Sequence, residues 1–358
     1  MAVSVSLNFM PSFYHARLGI EYGEEYYFNP EHRIWIGREE QKLLYTLFKK
    51  YGVGSPESAP DCIIQIQAVD LIRGLAGSRW QFPRDAVLES LDTVWAGVDP
   101  DKIASLDPHD FAFHPIMDRI ISQYRYMSEK YGNAADVFYM KTGDMMSIHS
   151  PYTTAHQLCG EDIFIYLASE PEKAQTIFTK IWDIYQAVYG RISDELKHKP
   201  EMLFIGDCSA SLLSPEIYGK SVMPFNRSML SGFQKAGYHS CGASNHILSH
   251  IADTGSFSMI QLGPGTDMTK AAEYMPDSLL QPLTDPVLMR EGQPADVENW
   301  IRQTVRPALK GREMMICAWA LDRDTPEKNV CAMYDTLISL GLYKESNTEA
   351  VQMNAQIK

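Results

Sequence analysis

Beyond residue 200, short apolar runs alternate with longer stretches whose apolar positions recur at helical spacing. "EMLFIGD" (201–207) reads as a strand, after which Ser214, Pro215 and Glu216 supply an N-cap, a first-turn proline and a first-turn acid. The helical pattern then runs to Gly237, with Pro224 kinking or dividing it. "YHSC" (238–241) is the next strand, and "NHILSHIADTG" (245–255) is a short helix ended by Gly255. The alternation repeats with "FSMIQLG" and "DMTKAAEYM", with "SLLQPL" and "DVENWIRQTVRPALKG", and with "EMMICAW" and "TPEKNVCAMYDTLISLG". Strand and helix units in such succession require parallel strands joined by helical crossovers.

Upstream, "ADVFYMKTG" (135–143) reads as a further strand, and 169–196 as a long amphipathic helix capped by Ser169. "DCIIQIQAVDLIRGL" (61–75) is apolar enough for a core element of either type. Residues 1–60, with the aromatic run "YGEEYYFNPEHRIWIG", fit no repeat. The expected fold is therefore α/β: a (βα)8 TIM barrel over 61–345, an N-terminal extension of residues 1–60 packed on it, and a C-terminal tail of 346–358.

A net charge of -13, from 32 Lys and Arg against 45 Asp and Glu with no basic run, argues against nucleic acid or an anionic membrane as partner. The N-terminus lacks a basic segment followed by a long apolar core, and no stretch approaches 18 apolar residues, so a secretory or membrane-spanning role is not expected. Six cysteines scattered along 358 residues form no disulfide framework; they read as reduced cytoplasmic thiols, some available to metal.

Candidate chemistry concentrates in "GYHSCGASNHILSH" (237–250). His239 and Cys241 share one side of a strand end, where barrel enzymes gather their functional groups. Cys317 closes "EMMIC" at another strand end, and three such donors suit a catalytic zinc with one open position. His-x-Cys also arises by chance, and free cysteine is often simply buried. The rival pair His246 and His250 lacks the glutamate of a metalloprotease helix, since Ile247 follows His246, and reads as an ordinary helix face. Cys159, Cys208 and Cys331 read as packing residues.

"GDCSASLLSPEIYGKSVMPFNRSMLSGFQKAGYHSCG", "TDPVLMREGQPADVENWIRQTV", "CAWALDRDTPEKNVCAMYDTLISLG" and "SPYTTAHQLCGEDIFIYLASEPEKAQTIF" together resemble the uroporphyrinogen decarboxylase superfamily, over roughly residues 135–342. The porphyrin decarboxylases of that group carry an arginine-rich N-terminal segment that is missing here. The resemblance is instead to the cobamide-dependent methyltransferase branch, whose His-x-Cys and distant Cys bind zinc; His239, Cys241 and Cys317 match that pattern. It implies Zn2+ at this triad and a corrinoid (cobamide) supplied by a carrier protein, because the chain contains no Asp-x-His-x-x-Gly corrinoid signature.

Zinc suits methyl transfer because it keeps a bound thiol deprotonated yet nucleophilic, or stabilises a developing phenolate, so the triad serves either direction. Asp207 is the first candidate to orient His239 or protonate a leaving group, with a turn-forming role as the plain alternative. Gln261 stands near where related enzymes can place an acidic fourth ligand, which an amide does not readily replace. Tyr152 and His149 are candidates to line the pocket. The aromatic extension favours an aryl methyl ether as methyl donor, hence O-demethylation. The alternatives are a methylcobamide:thiol (coenzyme M-like) methyltransferase, a zinc-free decarboxylase of the same superfamily, and a non-catalytic barrel that binds a corrinoid or its carrier.

Overall fold

The structure, a computed structural model, describes residues 2–57 and 61–345; the expected tail of 346–358 lies outside the described residues. Its principal strands are β1 (Ala2–Phe9), β2 (Met145–His149), β3 (Met202–Gly206), β4 (Lys235–Ser240), β5 (Met259–Leu262), β6 (Leu279–Pro282) and β7 (Glu313–Leu321). The chain forms two compact units, one of Met1–Cys62, Phe82–Val87 and Met259–Lys358, the other of Ile63–Gln81 and Leu88–Ser258.

In the first unit β6 lies parallel to β5 and to β7, and β1 lies parallel to β7 from Ala2 opposite Glu313 to Leu7 opposite Ala318. This corrects the assignment of residues 1–60 to an extension: Ala2–Phe9 is a sheet strand. Its polar residues obscured it, because Ser6 and Asn8 are buried rather than solvent-facing, and the Asn8 side-chain oxygen accepts the Ala320 N–H. Much of the following aromatic run packs on itself, with Tyr26 edge-on to Tyr27 and both Tyr27 and Phe28 against Phe82.

In the second unit β2, β3 and β4 are consecutive parallel neighbours. Helix Pro171–Leu196 buries Ile177, Ile181, Ile184, Val188 and Ile192, a stripe at helical spacing. Its cap is not Ser169, which ends the preceding helix Asp162–Ser169 and donates to the Ile165 carbonyl. Of "ADVFYMKTG" only Asp136–Val137 is extended, and the sheet strand is β2, just beyond it. The Asp136 carboxylate gathers the N–H groups of Val137, Lys141 and Thr142, folding the chain into a turn.

The segment between β3 and β4 also departs from expectation. Helical structure runs Pro215–Ile217, Tyr218–Val222 and Met223–Leu230, and stops there rather than at Gly237. The middle piece is a π-turn, whose wider ring accommodates Pro224 without breaking the helix. Gly237 belongs to β4, opposite Phe204. A Cβ at Gly237 would stand 2.3 Å from Phe204 Cδ2 and 2.6 Å from Met202 Cε, so glycine is there to make room for the Phe204 ring and the Met202 methyl group of β3. Gly237→Ala is expected to lower stability by about 1–3 kcal/mol in urea titrations, and an unchanged midpoint would refute this steric reading.

Candidate metal centre

The parallel register of β3 and β4 sets Gly206 opposite His239, and the Asp207 N–H continues it by donating to the His239 carbonyl at 2.7 Å. Cys208 therefore leaves the end of β3 beside the point where Cys241 leaves β4. Each opens a tight connection: Cys208–Leu212 is a short 3-10 helix, and Cys241 is followed by Gly242. The two connections are pressed together, since a Cβ on Gly242 would lie 2.5 Å from Ser211 Oγ, and that hydroxyl donates to the Cys208 carbonyl. The result is a cluster in which the ligand atoms of Cys208, His239 and Cys241 all lie within 4.8 Å of one another.

The same register extends to β2, where His149 is opposite Gly206. Side chains in one row of a parallel sheet share a face, so His149 and His239 flank a residue with no side chain. A Cβ at Gly206 would stand 3.3 Å from His149 Cδ2. Burial, with a smaller contribution from His239, pushes the His149 imidazole down to about 3, so it is neutral at physiological pH. Next to it, Asp207 is fully buried and accepts from Ser150, Thr153 and Asn226. Burial raises its pKa, and those donated bonds oppose the rise.

The two cysteines divide a proton unevenly. Cys241 is pushed down to about 4, first by the hydrogen bond from Cys208, against burial, and then by His239. Cys208 is held well above the usual thiol range by that same bond and by burial. Two sulfurs and one imidazole nitrogen form a soft-to-borderline donor set. In a tetrahedral zinc site such donors stand roughly 3.5–4 Å apart, given bonds of about 2.0–2.3 Å. The cluster fits that ion in donor type, and its donors, all within 4.8 Å of one another, need draw together only slightly to share it.

Of the residues singled out in the sequence, His239 and Cys241 are brought together as expected. Cys208, assigned to packing, joins them. Cys317 belongs to the other unit, where it is buried, donates to Gln281 Oε1 and accepts from Gln261 Nε2, both at 3.6 Å. Burial raises its pKa, and the Gln261 bond partly offsets this. Gln261 also donates to Gln281 at 2.7 Å, so its amide sits in a side-chain chain with Gln281 and Cys317. Tyr152 is buried with its hydroxyl on the Ser209 carbonyl, where it braces the Cys208 turn. His246 bonds the Leu213 carbonyl and precedes the helix Leu248–Thr254, so only His250 rides that helix, packed near Tyr218. Cys159 is buried, as a packing role requires.

Residues 123–339 match the family model for uroporphyrinogen decarboxylase (URO-D). The chain belongs to this family. The family architecture is a TIM barrel, and the fold is accordingly the expected (βα)8 barrel. A methyltransferase from Methanosarcina mazei shares this fold at 15% identity, covering 95% of this chain and 94% of that one with a TM-score of 0.64. A protein described as a vitamin-B12-independent methionine synthase from Listeria monocytogenes aligns at 14% identity over 96% and 97% of the two chains, with a TM-score of only 0.44. No curated protein sequence matches the chain. Among the described residues, no helix is long and apolar enough to cross a membrane.

The depressed pKa of His149 has a sign that can be measured. The unfolded histidine takes up a proton near pH 6.5 and the native one only near 3, so falling pH favours the unfolded chain across that window. Stability from this group is complete above about pH 6.5 and is lost on acidification. In metal-free protein, His149→Gln is expected to flatten the decline in unfolding free energy, measured by urea titration, between about pH 7 and 5 by roughly 2 kcal/mol. Parallel curves for the two proteins would reject a buried neutral histidine.

Proposed function

We propose that the chain is a zinc-dependent methyltransferase that moves a methyl group between a small molecule and a corrinoid carried by a separate protein. The observation that carries this reading is the convergence of His239 and Cys241 with a further thiol at adjacent strand ends of a URO-D barrel. The fold shared with the Methanosarcina methyltransferase supports it. When bound, zinc would supply the charge that keeps a sulfur nucleophile deprotonated or steadies an oxygen leaving group.

The residues of the chain perform the remaining tasks. His239 and Cys241 would hold the metal, and exposed Cys241 keeps one side of the cluster open to an incoming ligand. His149, uncharged across the sheet row, adds no competing positive charge beside the metal. The bonds that Asp207 accepts from Ser150, Thr153 and Asn226 fix the turn that carries Cys208, so the donors are held in place before the metal arrives. Aryl methyl ethers remain the proposed methyl donors. Their support within the N-terminal aromatic run narrows to rings such as Trp35, which is 48% exposed, because Tyr26, Tyr27 and Phe28 are engaged with one another and with Phe82. The carrier would dock where the strands end, since cobalt must come within bonding reach of the methyl group.

Purified protein mixed with reduced cobalamin and a panel of methoxyaromatics and methylthiols is expected to form methylcobalamin, seen by its absorption spectrum. Chelation should abolish the reaction and added zinc restore it. Cys241→Ser should lower kcat/KM by roughly 100-fold or more. Full turnover in chelated protein or in Cys241→Ser would overturn the proposal, and carbon dioxide release from a carboxylated substrate without zinc would favour a decarboxylase.

A further inference from the structure

We infer that Cys208 is a resolving thiol for Cys241: under peroxide the two sulfurs close a reversible disulfide that withdraws Cys241 from metal binding and shields it from irreversible oxidation. The disulfide needs only the geometry of two adjacent strand ends, whereas its effect on metal rests on the zinc reading above.

The fold brings the pair together in advance. Cys208 stands two residues beyond Gly206 and Cys241 two beyond His239, and Gly206 and His239 are parallel partners. Neighbouring strands run about 4.8 Å apart, inside the Cα separation of roughly 4.4–6.8 Å that a disulfide accepts. The Asp207 N–H on the His239 carbonyl carries the pairing past the strand ends, and the close approach of Ser211 to Gly242 keeps the two connections side by side. The two sulfurs lie within 4.8 Å of each other and are hydrogen-bonded. Closing that gap to the roughly 2 Å of an S–S bond takes side-chain rotation rather than movement of the sheet, and both residues belong to one compact unit.

Exposure sets the order of events. Cys241 is exposed and Cys208 half-buried, whereas Cys62, Cys159 and Cys317 are buried, so peroxide meets Cys241 first. The Cys241 thiolate attacks one peroxide oxygen, the O–O bond breaks, and the other oxygen leaves as hydroxide, which takes up the proton that Cys241 gave away. The Cys208 sulfur then attacks the resulting sulfenic sulfur; the S–O bond breaks and the hydroxyl leaves as water with the Cys208 proton. Two thiols have lost two electrons, and one peroxide has become two waters. Without a thiol at hand, the sulfenic acid would proceed to sulfinic acid, which dithiols do not reduce. A sulfur held in a disulfide is no longer a thiolate ligand, so His239 loses its neighbour in the donor set until a reductant opens the bond.

The test treats the full-length chain, metal-free and zinc-loaded, with equimolar hydrogen peroxide, blocks the remaining thiols by alkylation and maps tryptic peptides by mass. Lys220, Arg227 and Lys235 place the two cysteines in different peptides, so a cross-link between them is read directly. The Cys208–Cys241 cross-link is expected to predominate, and thiols titrated in denaturant should fall by two from the six of the reduced chain. Zinc-loaded protein should release its metal to a chromogenic chelator in step with the cross-link, and dithiothreitol should restore both free thiols and zinc binding. In Cys208→Ser, Cys241 should pass to sulfinic acid, and dithiothreitol should no longer restore zinc binding. A wild-type map without the cross-link overturns the inference, whether Cys241 stays reduced or is over-oxidised, and this measurement stands even if the variant misfolds. Full recovery of Cys208→Ser overturns the shielding role, and zinc retained by cross-linked protein overturns the withdrawal of Cys241. Failure of the reduced wild type to bind zinc at all would instead defeat the zinc reading, with the cross-link still decided by mass.

Discussion

The register between β3 and β4 governs everything around the cluster. Shifting β4 by one residue would turn His239 to the opposite face and take the Asp207 N–H away from its carbonyl. That register is protected by a steric key, Gly237 under the Phe204 ring, because only a residue without a side chain fits there. A second key lies two rows further on, where Gly206 leaves room between two histidines. The glycines thus act through what they omit: one admits an aromatic ring to the core, the other keeps two imidazoles on the same side of the sheet.

Beneath the cluster, polarity is buried at a cost that the network partly recovers. A carboxylate fully withdrawn from water is unfavourable unless its oxygens are occupied, and Asp207 collects two hydroxyls and an amide from three different elements. The donors come from the β2 end, the helix that follows it and the helix that precedes β4. The carboxylate therefore ties together the segments whose relative placement sets the sulfur positions. Tyr152 works alongside it through the Ser209 carbonyl, one residue beyond Cys208.

How much of this could be read in advance depended on whether the determinant was local. The period of two put His239 and Cys241 on one face, and the strand and helix alternation after residue 200 was carried by apolar runs and caps such as Ser214, whose hydroxyl accepts the Ile217 N–H. The contribution of Cys208 was not legible, because "GDC" after a strand reads as a turn, and its nearness to Cys241 exists only once β3 and β4 are paired. β1 was hidden for a related reason. Buried Ser6 and Asn8 look solvent-facing in the sequence, yet sheet neighbours satisfy the Asn8 side chain. The helix reaching to Gly237 was overextended because helical spacing and a strand glycine cannot be separated without knowing that Phe204 lies above it.

The locality of the cluster also bears on when it can form. Cys208, His239 and Cys241 lie on neighbouring strands joined by a single crossover, so their approach requires closing one short segment of chain. β5, β6 and β7 are all later in the sequence. During synthesis, the three donors thus leave the ribosome ahead of the last three strands. Pairing of β3 with β4 can therefore assemble the whole cluster within the second unit before β5, β6 and β7 are free to pair.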